Sequence, residues 1–271
     1  MKLSQVTVYT DEGERSRILL DRLSLDIHSG EWLSIVGRNG SGKSTLAKVL
    51  SGILQPTTGS IERSLMNCEP IPYVMQEAHP FLGQTPWEEL IFLLETRGEP
   101  AADIPLTAER ILRQTGLLSQ MHRPIKELSG GRRQLVAIAC CLACRAPLMI
   151  FDEAASMLDS KSKALVLGLA RQLHQNGHTI IWLTHQLDEV TEGSRVIVMD
   201  QGRIRYEGTT REFFYGTAHL PMMSATPCEQ AGFEPPYPIR IALHLHRNQS
   251  KTIGYPLTVS QLTEALQHDA R

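Results

Sequence analysis

No apolar run in this chain approaches the roughly 20 residues that a membrane-crossing helix needs. Nothing at its start reads as a secretory signal peptide, so the polypeptide is expected in the cytosol, with any membrane role coming from docking. Charge of one sign is also missing: 27 Lys and Arg stand against 29 Asp and Glu, a net −2. No broad basic field therefore recommends nucleic acid as a partner. Cysteines are five, Cys68, Cys140, Cys141, Cys144 and Cys228. Their odd number and lack of framework spacing exclude a disulfide scaffold and suit a reducing compartment. Sustained heptads are absent, which excludes a long coiled coil. What remains is a chain of 271 residues, enough to bury one large core and a small satellite.

Against these absences one stretch stands out. Gly37-Arg38-Asn39-Gly40-Ser41-Gly42-Lys43-Ser44-Thr45 fits the pattern G-x-x-x-x-G-K-[ST], which a chain of this length matches by chance about once in a hundred. It lies where phosphate binding needs it. Trp32–Val36 reads as a short apolar strand, and Thr45–Gly52 as a helix ending on a glycine cap. A loop between strand and helix aims backbone N–H groups and a helix N-terminus at one point. Lys43 then reaches the β/γ-phosphates, and the Ser44 hydroxyl is placed to join a Mg²⁺ shell.

Further groups follow in a fixed order. Gln76 comes after Tyr73-Val74-Met75. Leu128-Ser129-Gly130-Gly131 opens a helical run, with Ser129 as its cap; backbone amides and a hydroxyl gather there as a second anion site. Leu148–Glu153 is a buried-type strand ending in two carboxylates: Asp152 to hold Mg²⁺ through its water shell, Glu153 to accept a proton from a water attacking the γ-phosphate. Ser156-Met157-Leu158-Asp159 comes next, then the apolar strand Thr179–Thr184, closed by His185. Each element alone has a bland reading as a cap, a strand end or a loop residue. The order of all six decides the matter.

From about Leu3 to Gly208 the chain resembles the nucleotide-binding subunit of ATP-binding cassette (ABC) transporters. The resemblance implies an α/β fold: a P-loop NTPase core of ABC type with a mixed sheet and flanking helices, an antiparallel β subdomain and a helical subdomain. It implies ATP and Mg²⁺ as cofactors. Gly37, Asn39, Gly40, Ser41, Gly42, Lys43, Ser44 and Thr45 bind the ATP phosphates; Ser44, Gln76 and Asp152 hold the metal; Glu153, His185 and Gln76 are catalytic. By the same likeness Gln76 faces the membrane partner. Ser129, Gly130 and Gly131 form the signature that contacts ATP on the opposite subunit, Asp159 belongs to the D-loop crossing the dimer, and Tyr9 stacks on adenine at a spacing one residue off the common one. Arg132 and Leu135 stand where the family usually has Gln and Arg, and neither position touches phosphate or metal.

Coarser features complete the reading. Leu3–Tyr9, Leu23–His28 and the strand before the P-loop are expected to form the antiparallel start. Helices from about Phe81 to Arg123 belong to the helical subdomain (about 81–145), the landing surface for a membrane subunit. The domain division is 1–217 for the ATP-binding unit and 218–271 for a C-terminal helical extension, with a Pro-rich linker over Ala218–Pro238 and a last helix capped by Thr258 or Ser260. That tail is similar to the extension of energy-coupling factor (ECF) transporter ATPases, which serves their dimerisation, and the Ser156–Asp159 wording resembles the first of the two paralogues. His244 and His246 are read as surface residues, and Cys140, Cys141 and Cys144 as packed thiols on one helix.

The resemblance thus implies an ATP-hydrolysing subunit of an ECF-type importer of vitamins or transition-metal ions. It would be peripheral at the cytoplasmic face of the cell membrane, paired head-to-tail with an identical or paralogous subunit. Its further partners would be a transmembrane coupling subunit and a substrate-binding membrane protein. Rivals are the ATPase of another ABC importer, a soluble ABC-type ATPase acting on nucleic acid or ribosomes, and a cassette that binds without hydrolysing. The P-loop reading carries its own test: Lys43→Ala loses ATP affinity by about tenfold or more, the loss expected for a hydrogen-bonded charge on a phosphate, and unchanged binding in equilibrium titration refutes it.

Overall fold

Three strands of this chain are buried along their whole length, and a strand with no wet face has to be covered on both sides. In the computed structural model, which describes residues 1–12, 15–63, 71–75, 81–216, 225–248 and 253–268, these are β3 (Trp32–Gly37), β6 (Leu148–Asp152) and β7 (Thr179–Thr184), every residue buried. They form the centre of a six-stranded sheet in the order β5-β6-β7-β3-β8-β9. β5 (Tyr73–Val74) and β8 (Arg195–Asp200) flank them in parallel; β9 (Arg203–Thr209), half exposed along its length, closes the edge antiparallel to β8. Side chains alternate between the two faces. On β7, Ile180 and Trp182 point into one core and Ile181 and Leu183 into the other.

The second core lies between this sheet, helix α1 (Lys43–Ser51) and a three-stranded antiparallel sheet of order β2-β1-β4. Its strands are β1 (Lys2–Glu12), β2 (Arg15–Asp26) and β4 (Thr58–Glu62). The sequence reading erred here in two ways. The strand before the P-loop, β3, belongs to the parallel sheet, and β4 takes the expected third place. A strand buried on both faces cannot serve a sheet with one wet side. β2 also starts eight residues earlier than Leu23 and stops before His28, because its first half pairs with the polar end of β1 and shows no apolar alternation.

On the other face α2 (Pro86–Thr96), α3 (Ile104–Gln114), α4 (Gly130–Ala143) and α5 (Ser160–Gln175) enclose the first core. Its centre is a stack of Trp32, Trp182 and Phe151, with ring centroids 5.9 and 5.3 Å apart. Cys140 and Cys141 sit on α4, and burial pushes both thiols well above the ordinary range. Cys68 lies outside the described residues.

A third core joins β3 and β8 to the C-terminal helices α6 (Thr210–Tyr215), α7 (Pro227–Gln230) and α8 (Tyr237–Arg247). Val36, Val196 and Val198 meet Phe213, Phe214, Cys228 and Ile239 there. Capping boxes start α6 at Thr209 and α7 at Thr226, so part of the stretch expected as linker is helix. Thr258 rather than Ser260 caps α9 (Val259–His268): its hydroxyl accepts from Gln261 N at 3.3 Å, and Gln261 Oε1 accepts in return from Thr258 N. His246 departs from its surface reading. It is half-buried, with Nε2 2.6 Å from the Ile253 carbonyl, whereas His244 is exposed. Phe213 is fully buried between Tyr206 and Phe214. Phe213→Ala is accordingly expected to cost about 3–5 kcal/mol in denaturant unfolding; a change within 1 kcal/mol would show that the extension is not part of this core.

Candidate functional site

The order of the parallel strands brings three carboxyl ends side by side: β6 beside β7, and β7 beside β3. The P-loop leaves the end of β3, Asp152 and Glu153 leave β6, and His185 leaves β7. Ligands of open α/β sheets bind at this edge. Gly42, the N-cap of α1, has φ 103°, and a Cβ there would stand 2.9 Å from the Leu19 carbonyl. Only glycine fits both the left-handed backbone and the close approach.

Lys43 is folded back over its own loop and buried. Its Nζ donates to the Gly37 carbonyl at 2.7 Å and the Arg38 carbonyl at 3.2 Å, and lies 3.5 Å from Glu153 Oε1. Burial lowers its pKa, against the pull of Glu153 and Asp152. Glu153 has φ 49°, an uncommon conformation for a long side chain that marks functional sites. Hydrogen bonds hold it there: Glu153 N donates to the Leu183 carbonyl at 2.9 Å, and the Glu153 carbonyl accepts from Ser156 N and Oγ at 3.0 and 2.8 Å. Its other oxygen, Oε2, is 3.1 Å from His185 Nδ1. One buried carboxylate thus joins the P-loop lysine to the histidine at the end of β7.

Asp152 is 1 % exposed. Its Oδ2 accepts from Tyr73 Oη at 2.7 Å, while Oδ1 is buried with no hydrogen-bond partner among the described residues. The Ser44 hydroxyl lies beside the same carboxylate. Burial, partly offset by the Tyr73 and Ser44 hydroxyls, raises the Asp152 pKa; the same burial, with the negative Asp152 beside it, raises that of Tyr73. An orphaned carboxylate oxygen beside a serine hydroxyl is a hard-oxygen donor set, and it fits Mg²⁺. Gln76, the third expected metal group, lies outside the described residues.

A cleft of about 630 Å³ opens over this group. Asn39, Gly40, Gly42, Lys43, Ser44, Thr45 and Glu153 line it, together with Arg17, Ile18, Leu19, Gln201 and Gly202. These last five were not singled out from the sequence. Gln201 and Gly202 form the β8–β9 turn; the pairing of β8 with β3 brings that turn to the P-loop, where Gly202 N donates to the Ser41 carbonyl at 2.9 Å. Tyr9 does not line the cleft. It is exposed on β1, directly opposite Ile18 in the β1–β2 ladder. Ser129 caps α4, its Oγ accepting from Arg132 N at 3.4 Å, and Asp159 caps α5, accepting from Ser162 N at 2.9 Å. That bond from the Ser162 amide, with one from its hydroxyl, lowers the Asp159 pKa. Ser129, Gly130 and Asp159 are exposed and stand outside the cleft lining.

A family profile for ABC transporters matches residues 20–156. The chain is 33% identical over 259 residues to the energy-coupling factor transporter ATP-binding protein EcfA1 of Halalkalibacterium halodurans, covering 92% of this chain and 90% of that one. The chain belongs to the ABC transporter ATPases, in their energy-coupling factor branch. The EcfA1 protein of Bacillus licheniformis is 39% identical over 212 residues, 74% of this chain and 75% of that one. Among solved structures, the dimeric post-hydrolysis state of the ATP-binding cassette MJ0796 bound to ADP and Pi superposes with TM-score 0.70 at 28% identity, covering 77% of this chain and 97% of that chain. CbiO1 from Clostridium perfringens, described as part of the ABC transporter complex cbiONQ, gives TM-score 0.65 at 27% identity over 79% and 89%. This ABC ATPase therefore binds and hydrolyses ATP in the service of transport, and among its described residues no helix is long and apolar enough to cross a membrane.

Its two departures after the signature have structural uses. Arg132 Nη1 donates to the Gly116 carbonyl at the end of α3, 3.1 Å away, and Leu135 is buried in the first core.

The Asp152 shift has a definite sign. A folded-state pKa raised above 3.8 means the native chain holds that proton more tightly than the unfolded one. The stabilisation is complete below the ordinary value and is lost as pH rises through the folded value. At pH 7 the apo-protein bears the cost of a buried carboxylate. Asp152→Asn is expected to raise the apo melting temperature at pH 7 while weakening Mg²⁺-dependent ATP binding about 10–100-fold. Thermal unfolding and nucleotide titration with and without Mg²⁺ check the pair of effects.

Proposed function

We propose that this ABC ATPase energises an ECF-type importer of vitamins or transition-metal ions, working as a head-to-tail dimer with an identical or paralogous subunit. It would sit at the cytoplasmic face of the membrane on a transmembrane coupling subunit, with a substrate-binding membrane protein alongside. The observation that carries the reading is a division within one chain. Lys43, Glu153 and His185 converge on one cleft, while Ser129, Gly130 and Asp159 are solvent-exposed away from it. A hydroxyl and amides at a helix start suit phosphate, and a second copy brings its own phosphate to them. The relatives' ECF names and the transporter-complex description of CbiO1 support the choice of importer type. Leu82 and Phe92, exposed on the helical subdomain, are apolar surface for the coupling subunit.

In this reading the P-loop amides of residues 37–45 and Lys43 bind the β/γ-phosphates, and adenine lies against the β1–β2 ladder at Tyr9 and Ile18. Ser44, Asp152 and Gln76 would hold Mg²⁺, which when bound would neutralise phosphate charge. Glu153 aligns the attacking water and accepts its proton, and His185 bonds the γ-phosphate. The partner's signature completes the site, so the γ-phosphate is a ligand that favours the closed dimer. Residues 218–271 add a second dimer contact.

Glu153→Gln decides the reading. The variant keeps ATP affinity, lowers turnover by about 10²-fold or more, and runs as a nucleotide-dependent dimer in light scattering. Wild-type turnover refutes Glu153 as the base, and a monomer with ATP at every concentration, companions included, refutes the paired site.

A further inference from the structure

One buried charge cluster next to the site has no part in the chemistry so far. Lys163, one turn into α5, is 18% exposed at its side chain, and its ammonium faces three side-chain oxygens. Its Nζ meets Gln186 Oε1 at 2.5 Å, Asp188 Oδ2 at 2.9 Å and Glu189 Oε1 at 2.9 Å. Glu189 is 1% exposed, and its second oxygen accepts from Trp182 Nε1 at 3.0 Å. A buried ion pair is weak evidence for stability, because desolvation offsets most of the attraction; its best-attested use is to fix one arrangement among several. The two carboxylate branches already pin the turn Leu187–Glu189 to α5. The Gln186 branch holds the residue that opens that turn: the Gln186 carbonyl accepts from Glu189 N at 3.1 Å, and its backbone N–H is held by Thr184 Oγ1 at 2.9 Å. Gln186 also adjoins His185, whose Nδ1 touches Glu153. At its other end α5 begins at Asp159, the exposed cap, whose carbonyl accepts from Lys163 N at 2.8 Å.

We propose that Lys163, acting through the Gln186 side chain, is a positioning residue that couples the Asp159-capped start of α5 to His185, so that a displacement of that start by a second subunit reorients His185 against Glu153. The inference rests on the paired-site reading above and names how closure is reported to the chemistry. Neither Lys163 nor Gln186 lines the cleft, so the predicted signature is a change in kcat without one in KM.

Gln186→Leu keeps the side chain at a similar size, leaves the Lys163–Glu189 pair intact and removes the amide, and with it the oxygen that faces Lys163. In the full-length chain within its native complex, kcat is expected to fall about 5–20-fold, with KM for ATP within about twofold and the melting temperature within about 2 °C. Gln186→Glu, which restores an acceptor to the ammonium, is expected to keep at least about half the wild-type kcat. Wild-type kcat in Gln186→Leu overturns the proposal, as does a Gln186→Glu variant no better than Gln186→Leu. A fall in melting temperature that accounts for the lost activity overturns it too. Glu153→Gln measured in the same preparation separates the two failures. If it is inactive while Gln186→Leu is normal, only the coupling is wrong; if it too is fully active, the site reading falls and the coupling with it.

Discussion

An ammonium buried without a counter-ion is among the most costly features a fold can carry, and the Lys43–Glu153 contact removes that cost here. The pair is separated by 3.5 Å, with the two side chains 4% and 7% exposed. Desolvating both charges cancels most of their attraction unless hydrogen bonds complete the shells. The Gly37 and Arg38 carbonyls do this for Lys43, and His185 contributes on the side of Glu153. Glu153 also sits at φ 49°, which costs on the order of 1–3 kcal/mol for a non-glycine residue. Such a cluster is a poor stabilising device. In the proposed function it serves an anion: phosphate would replace the two loop carbonyls at Lys43 and free Glu153 toward water.

That contact exists only because of the strand order. β7 lies between β3 and β6, so the P-loop, the acidic pair and His185 end at one edge although they are about 150 residues apart in the chain. The order is stable only if both faces of the sheet are covered, which explains why β3, β6 and β7 are buried at every residue. The helical layer and the antiparallel layer are therefore conditions for the site as much as additions to it.

Legibility in the sequence followed the range of the interactions involved. The P-loop, the cap at Ser129 and the acidic pair after β6 are local patterns, and local patterns can be read directly. The partners of those groups are not local. Tyr73 Oη on Asp152, Arg17–Leu19 along the cleft and the Gln201–Gly202 turn above Ser41 depend on which strands become neighbours. The same limit misplaced β3 in the antiparallel sheet, since an apolar strand before a P-loop looks the same in either sheet. It shortened β2, whose first half has no alternation to detect. His246 was misread for a related reason: helical spacing shows which residues share a face, but not that Ile253 returns to cover one of them. Arg132, unusual against the family wording, became intelligible once α3 was seen to end beside it.

The C-terminal extension looks from composition like a cap on a finished domain, and its contacts argue otherwise. Val36, the residue before the P-loop's first glycine, is packed in the same core as Phe213, Phe214 and Ile239. Arg38, inside the P-loop, donates to the Gly232 carbonyl at 2.9 Å, and a Cβ at Gly232 would stand 2.8 Å from its guanidinium. Arg247 and Glu229 tie α8 to α7 through two hydrogen bonds, at 3.0 and 2.6 Å, and Gln261 reaches Glu192 at 2.8 Å. The P-loop thus has the extension on one side and the β2 strand on the other. Close-packed interiors transmit small displacements instead of absorbing them, so an extension seated this way is mechanically joined to that loop.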